Sequence, residues 1–330
     1  MKADDPLGNA ISVSDELARR GIKGSLNKRA VAAIARLLGS AVEFLRAPGN
    51  GHEGRKESTA AMIEAAAGAV SSVEPGGREM FRPILAAHYR EIISKHENRQ
   101  AVVAQAVDVL KQMAPAPDTP RSAADPIGDD WLNFFAAYAE KAASENLRQT
   151  FGHILSGEIR KPGSFSFSTL RIVSELDAPS ASLFQRIASR AFSMDAKDPT
   201  PSAVLKPEDL RGQYLHEMLK LEALGLIQEV GGDFAISTGK AEAGAQIWIR
   251  FGRLLLRGEM KKKVYFSLQL VKLTDAGAEL CAIIPMDHQG GAREVGGLMA
   301  KRGLEASIHV ITGVSKGDVL YRTPGEAVRA

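Results

Sequence analysis

Leu221-Glu222-Ala223-Leu224-Gly225-Leu226-Ile227 is answered further along the chain by Leu273-Thr274-Asp275-Ala276-Gly277-Ala278-Glu279-Leu280, and the two stretches together decide the C-terminal fold. The first reads as the end of a leucine-packed helix whose glycine cap reverses the chain into a strand. In the second, a returning strand feeds a new helix capped by Thr274 or Asp275. Between them Gly231-Gly232 makes a turn, a short apolar run follows from Phe234 to Ile236, and Ile247, Ile249 and Phe251 alternate. Arg257-Gly258-Glu259 can turn the chain, after which Val264, Phe266, Leu268 and Leu270 alternate back, so the period of two predicts one long hairpin. Upstream, Pro207 opens the helix that carries Leu210, Tyr214, Met218, Leu221 and Leu224. Downstream, the pattern predicts a strand over 282–285, a helix over 292–302 and strands over 306–311 and 319–322.

N-terminal to this half the period is helical. Residues 114–126 read APAPDTPRSAADP, a proline-rich linker. Before it, four stretches carry apolar residues at helical spacing: 31–45, 62–73, 81–92 and 102–113. The second is so rich in alanine that its helices would approach closely and bury little area. After the linker, Trp131, Phe134, Phe135 and Tyr138 lead into Phe151, Ile154, Leu155 and Ile159, the strongest helical signal in the chain. Asp129 or Asp130 suits its N-cap, and Lys161-Pro162-Gly163 ends it. Hydroxyls over 164–169 and then Asp177 before Ala178-Pro179 start two more helices. The expected architecture is α+β and mainly α. Its parts are a helical region over 1–113, the linker 114–126, a central helical block over 127–195, a winged-helix-like domain with a long basic hairpin over 196–285, and a small strand-helix-strand unit over 286–330.

Composition narrows the class. The 330 residues are 45% hydrophobic and 25% charged, close to the average for globular chains, which argues against global disorder and fibrous types. A single cysteine, Cys281, excludes an intramolecular disulfide and a cysteine-based zinc site. The first ten residues are polar and acidic, so no secretory signal is expected and a cytoplasmic location follows by default. No window is apolar for long enough to span a bilayer.

The Leu221–Ile227 and Leu273–Leu280 stretches resemble the helix-to-wing passage of winged-helix domains, here with an enlarged wing. A broader resemblance rests on Glu97-Asn98-Arg99-Gln100-Ala101-Val102, on Asp129-Asp130-Trp131-Leu132-Asn133 with Phe135, Tyr138, Ala139 and Glu140, and on Ile154-Leu155-Ser156-Gly157-Glu158-Ile159. To these it adds Lys161-Pro162-Gly163-Ser164-Phe165-Ser166 with Thr169-Leu170. These blocks are similar to the bacterial family named domain of unknown function 2806, and that resemblance implies no activity for any residue. The segment 155–170 also looks distantly like the helical abortive-infection alpha family, which implies a role in phage defence.

Candidate chemistry sits first in the central block, at Glu145, Arg148, His153, Glu158, Arg160 and Ser164. A general acid–base pair needs such groups to converge with shifted pKa values. Against that, Glu145 and Arg148 have ordinary ion-pair spacing on a helix, Glu158 precedes a turn whose backbone donors it can satisfy, and Ser164 and Ser166 look like caps. The seven histidines include no pair at i,i+4, so no metal site is expected, and His88 reads as a core histidine. Residues 290–298, with their four glycines, follow an expected strand and open a helix, but lack the Lys-Ser/Thr of a phosphate loop. No cofactor is therefore expected.

Charge is the best guide to function. Arg250, Arg253, Arg257, Lys261, Lys262, Lys263 and Lys272 face a single acid, Glu259, across the expected hairpin. From totals of 42 basic and 39 acidic residues this leaves 35 against 38 for the rest. The expected helix over 208–222 sets Arg211 and Lys220 against Glu208, Asp209, Glu217 and Glu222, the wrong sign for insertion into a major groove. The favoured expectation is a non-enzymatic binding or scaffold protein, a phage-defence component by its resemblance. It would contact nucleic-acid backbone without sequence specificity, or an acidic protein, through those seven cations. The alternatives are an enzyme with a polar site around Glu158 and a membrane-surface effector using the amphipathic helix over 28–46. A homo-oligomer is compatible with each.

Overall fold

Ala30, Val31, Ala33, Ile34, Leu37 and Leu38 fall on one side of helix α1 (Lys28–Leu38) in a computed structural model of the chain, and all are buried. The apolar face that a membrane-surface role needs for lipid is thus covered within the chain over 28–38. The structure describes residues 28–38, 77–112, 126–206 and 211–329 apart from 316, 317 and 324. The expected stretch over 62–73, most of the linker and the Pro207 helix start lie outside the described residues. The chain packs as two compact units dividing between Leu170 and Arg171.

In the first unit the third and fourth expected stretches form one helix, α2 (Gly77–Gln112), about 54 Å long at 1.5 Å per residue. Its second half buries Val102, Val103, Ala106, Val107 and Leu110, while His88, expected in the core, is exposed. The expected run over 131–159 is two helices, α3 (Asp129–Ala139) and α4 (Glu145–Arg160), and the α3 N-cap is Gly128, with Asp129 and Asp130 in the first turn. Side chains satisfy the groups exposed by the break. Ser144 accepts from the Leu147 amide, Asn98 Nδ2 donates to the Glu140 carbonyl (2.7 Å), and Arg148 donates from Nε to the Ala142 carbonyl (2.9 Å) and from Nη2 to Asn98 Oδ1 (2.8 Å). Gly152 lets α4 approach α2, since a Cβ there would lie 2.5 Å from the Gln105 Cβ. Trp131 stacks on Phe135 at 5.1 Å, and Phe135 meets Phe151 edge-on at 5.7 Å. Helix α5 (Phe167–Glu175) runs across the division, and the Thr169 amide donates to Ser166 Oγ at its start.

The second unit opens with α6 (Ala178–Ala188), capped as expected by Asp177, then strand β1 (Ala203–Leu205) and helix α7 (Gly212–Ala223). Helix α7 ends in a Schellman closure. Gly225 has φ +80°, its N–H donates to the Glu222 carbonyl, and the Leu226 N–H donates to the Leu221 carbonyl. There follow β2 (Ile227–Gln228), β3 (Ala235–Ala241), β4 (Gln246–Phe251), β5 (Leu254–Met260), β6 (Val264–Leu273) and the short helix α8 (Asp275–Cys281). Thr274 caps α8 and donates from Oγ1 to the Gly225 carbonyl at 2.6 Å, so the two sequence motifs close on each other.

The long hairpin is not formed. Strand β4 turns at Gly252-Arg253 and pairs with β5, while β6 pairs with β1, β2 and β3. Gly252 supplies a positive φ of 55° at the first central position of a two-residue turn, and Leu254-Leu255-Leu256 continue the strand, so Arg257-Gly258-Glu259 lie inside it. Residues 282–285 are not a strand. They lead into α9 (His288–Lys301), then β7 (Leu304–Ser315), β8 (Asp318–Tyr321) and β9 (Glu326–Val328). Strand β7 pairs with β5 over seven residues, giving a second sheet in the order β4-β5-β7-β8 with β9 on β7. Phe251, Leu256, Phe266, Leu268, Val295 and Ile308 belong to one core, so both sheets and α9 share it. Gly291 and Gly296 on α9 allow this: a Cβ would lie 2.9 Å from the Phe251 ring and 3.2 Å from Leu256, respectively. The α+β class, with helices in the N-terminal and central parts and sheets toward the C-terminus, agrees with the sequence.

Candidate anion-binding cleft

The polar residues of the central block do not converge. The Glu158 carboxylate is buried and accepts from the amides of Gly163 (2.6 Å), Ser164 (3.0 Å) and Phe165 (3.1 Å), holding the turn after α4. Gly157 leaves room for the Phe165 ring, 2.6 Å from where a Cβ would sit, and Trp131 Nε1 donates to the Phe165 carbonyl at 2.7 Å. Arg29 Nη1 donates to the Ile159 carbonyl at 3.0 Å. Ser164 Oγ donates to the Lys161 carbonyl, and Arg148 is engaged near the other end of α4, ten residues or about 15 Å from Glu158. The distinctive sequence block is thus a clasp of backbone donors and aromatic rings.

The seven cations expected on one hairpin are distributed along β4, β5, β6 and their turns. Arg250 is spent on carbonyls, donating to Gly252 (2.9 Å), Ala196 (3.3 Å) and Lys197 (3.0 Å). Arg257 pairs with Glu259, Lys261 with Glu259 and Glu305, Lys263 with Glu242, and Lys272 with Glu229. Lys261 Nζ donates to the Glu305 and Glu259 carboxylates, which raises its pKa. Arg253 and Lys262 have no ion-pair partner among the described residues, and they sit at opposite ends of β5. Glu305, Glu242 and Glu229, all from outside the segment, offset half of the positive excess of six that composition alone assigns to it.

A different concentration of cations comes from elements far apart in sequence. A cleft of about 1010 Å³ opens between α6, the end of β1, the start of α7, β6 and α9. Its lining includes Arg186, Arg190, Lys206, Arg211, Arg293, Lys301 and Arg302, against the acids Asp233 and Glu294. Three of these cations are partly answered. Arg190 bonds Glu294 (2.9 Å) and Asp287 (3.2 Å), which raises its pKa further, Arg293 meets Glu326 (3.0 Å), and Arg186 lies 3.9 Å from Glu217. Lys206, Lys301 and Arg302 have no acidic partner among the described residues. Lys206 Nζ donates to the Gly232 carbonyl, at 2.7 Å.

Apolar side chains line part of the cleft between the charged ones. Val204, Leu268 and Val295 are buried there, and Leu205, Leu298 and Tyr214 are half-buried, burial raising the Tyr214 phenol pKa. The glycine-rich residues 290–298 form the first turns and body of α9, and the Asp287 side chain already accepts from the Gly290 amide at 2.9 Å, occupying the helix N-terminus. No group of His, Cys, Asp and Glu suited to a metal ion occurs among the described residues. None of their helices is long and apolar enough to cross a membrane.

Sequence reasoning missed the cleft because its cations are spread from residue 186 to 302, with no local run to mark them. The signal that was present is the basic end of α9, Lys301-Arg302, which carries no nearby acid in the chain until Glu305.

No curated protein and no solved structure matches the chain. The family model described as "Protein of unknown function (DUF2806)" matches residues 88–290, more than half of the 330, from a third of the way along α2 to the first turn of α9. The clasp around Glu158, the Asn98–Arg148 link and the Gly225–Thr274 closure all fall inside that match, and the chain belongs to this family.

Proposed function

We propose that this chain is a non-enzymatic binding protein that holds a nucleic-acid backbone in the basic cleft of its C-terminal unit, without reading sequence. The observation that carries this reading is the convergence of Lys206, Lys301 and Arg302, free of acidic partners among the described residues, on one concave surface. Phosphate contacts of this kind supply affinity through counterion release and are indifferent to base identity. The helix that would enter a major groove is unsuited to it. Within α7, Lys220 stands against Glu217 and Glu222, and its ammonium already bonds Asp177 at 2.7 Å.

The test is binding of a labelled mixed-sequence oligonucleotide by the full chain across 50 to 200 mM salt. Affinity falls steeply with salt, and Lys301→Glu/Arg302→Glu weakens binding and flattens the slope by roughly 0.7 to 0.9 per lost contact. The Lys261→Glu/Lys262→Glu/Lys263→Glu variant binds within about twofold of the parent. If the triple variant loses binding and the double variant keeps it, the turn between β5 and β6 is the contact surface and the cleft is not. The reading is overturned if no oligonucleotide binds at 50 mM salt.

A further inference from the structure

We infer that the cleft takes single-stranded rather than duplex nucleic acid, seating an unpaired base on its apolar side chains while the cationic rim holds the adjoining phosphates. This rests on the proposed function and names the ligand class of the same site. A volume of about 1010 Å³ lies at the upper end of pockets that enclose small ligands, roughly 300 to 1,000 Å³. It has room for a nucleotide and none for a double helix. A duplex presents phosphates and keeps its bases stacked inside, so it would touch the rim and leave those apolar side chains in contact with water. A single strand exposes base faces, and these bury apolar and aromatic side chains at a gain that does not depend on sequence.

The cleft offers that contact. Leu205 at the end of β1 and Leu298 on α9, both half-buried, offer apolar surface, and the half-buried Tyr214 adds an aromatic ring from α7. At the edge, the exposed Gln269 side chain has no hydrogen-bond partner among the described residues, which leaves an amide donor and acceptor for a base edge. Gly297 keeps the α9 wall open, with nothing nearer than 4.0 Å to the place of a Cβ. The rim cations Lys206, Lys301 and Arg302 then serve phosphates on either side of the seated base.

The experiment compares a labelled mixed-sequence single strand with the same strand annealed to its complement, both titrated with the full chain at one salt concentration. The single strand binds at least tenfold tighter. Tyr214→Ala and Leu298→Gln each cut its affinity by roughly tenfold, as loss of a base stack does, with the salt slope unchanged. A thermal melt confirms that each variant is folded, and Leu298, half-buried, serves should Tyr214→Ala fail to fold. Equal affinity for the two forms, or folded Tyr214→Ala and Leu298→Gln proteins that bind the single strand as the parent does, overturns the single-strand assignment and leaves the backbone reading standing. Absence of binding to both forms at low salt overturns the proposed function itself.

Discussion

Replacing Gly277 with alanine puts a methyl group 2.1 Å from the Leu226 carbonyl oxygen, where ordinary contact begins at 3.4 Å. That oxygen is held in place, because it accepts from the Thr274 amide and from Thr274 Oγ1, both at 3.2 Å. To relieve the clash α8 must retreat by more than 1 Å, which breaks those bonds and the Thr274 cap on the Gly277 amide (3.1 Å). Overpacking of this kind costs about 1 to 3 kcal/mol and loss of a cap about 1 more. Alanine returns up to about 1 kcal/mol through its better helix propensity. The expected net loss is about 2 kcal/mol, a fall of roughly 4 to 8 °C in melting temperature for a unit of this size. The assay is a calorimetric or circular-dichroism melt of the full chain beside Gly231→Ala, where the new methyl meets nothing within 4 Å and the backbone is not left-handed. If Gly277→Ala melts with the parent or above it, as helix propensity alone demands, the two motifs do not close on each other in the way described.

Three further outcomes follow from other contacts. Glu158→Gln leaves one acceptor oxygen where three backbone amides converge and turns an NH2 group toward donors, so the first unit loses about 3 kcal/mol in chemical denaturation; an unchanged midpoint would remove the structural role and reopen a catalytic one. Cys281 is buried and its thiol pKa is pushed up to about 12, so native protein resists iodoacetamide at pH 8 and reacts fully once unfolded. Because that folded value lies above the ordinary 9.0, the stability the thiol contributes is complete below pH 9 and declines as pH rises toward 12. A Cys281→Ala protein should show a weaker decline in that alkaline window. Asp177 bonds Lys220 and the Ser180 amide, which together hold its carboxyl far below the usual range. Its stabilising contribution is therefore present above pH 4 and is lost only in strong acid, so Asp177→Ala flattens the acid limb of the stability curve.

Local chemistry was legible in the sequence where neighbours in the chain decide the structure. The glycine cap at 225, the Thr274 cap, the Asp177 cap and the stop after Arg160 stand as read, because each depends on residues within one turn. Pairing at long range was not. The period of two located β4 and β6, but alternation does not say which strand is the partner. The apolar Leu254-Leu255-Leu256 after a two-residue turn was the overlooked mark of β5. The break between α3 and α4 was hidden because Ala139 to Ala143 would suit a helix, and what ends it is a side chain on α2, Asn98, bonding the Glu140 carbonyl. The net charge of a segment was legible, but its partial neutralisation was not, since Glu305 and Glu229 meet their lysines from outside the segment. The cleft follows the same rule, gathering Lys206 and Lys301 from opposite ends of the second unit.

Strand β5 is flanked by β4 on one edge and β7 on the other, and of these three β7 is made last. During synthesis from the N-terminus, the edge of β5 facing β7 therefore waits with its amides and carbonyls unsatisfied until residues 304–310 leave the ribosome. A protein trimmed to the family-matched region, 88–290, would stay in that waiting state permanently, lacking β7 and most of α9 and offering a sticky ribbon to its own copies. The last forty residues thus act as a built-in guard against aggregation, and expression boundaries should be drawn around them.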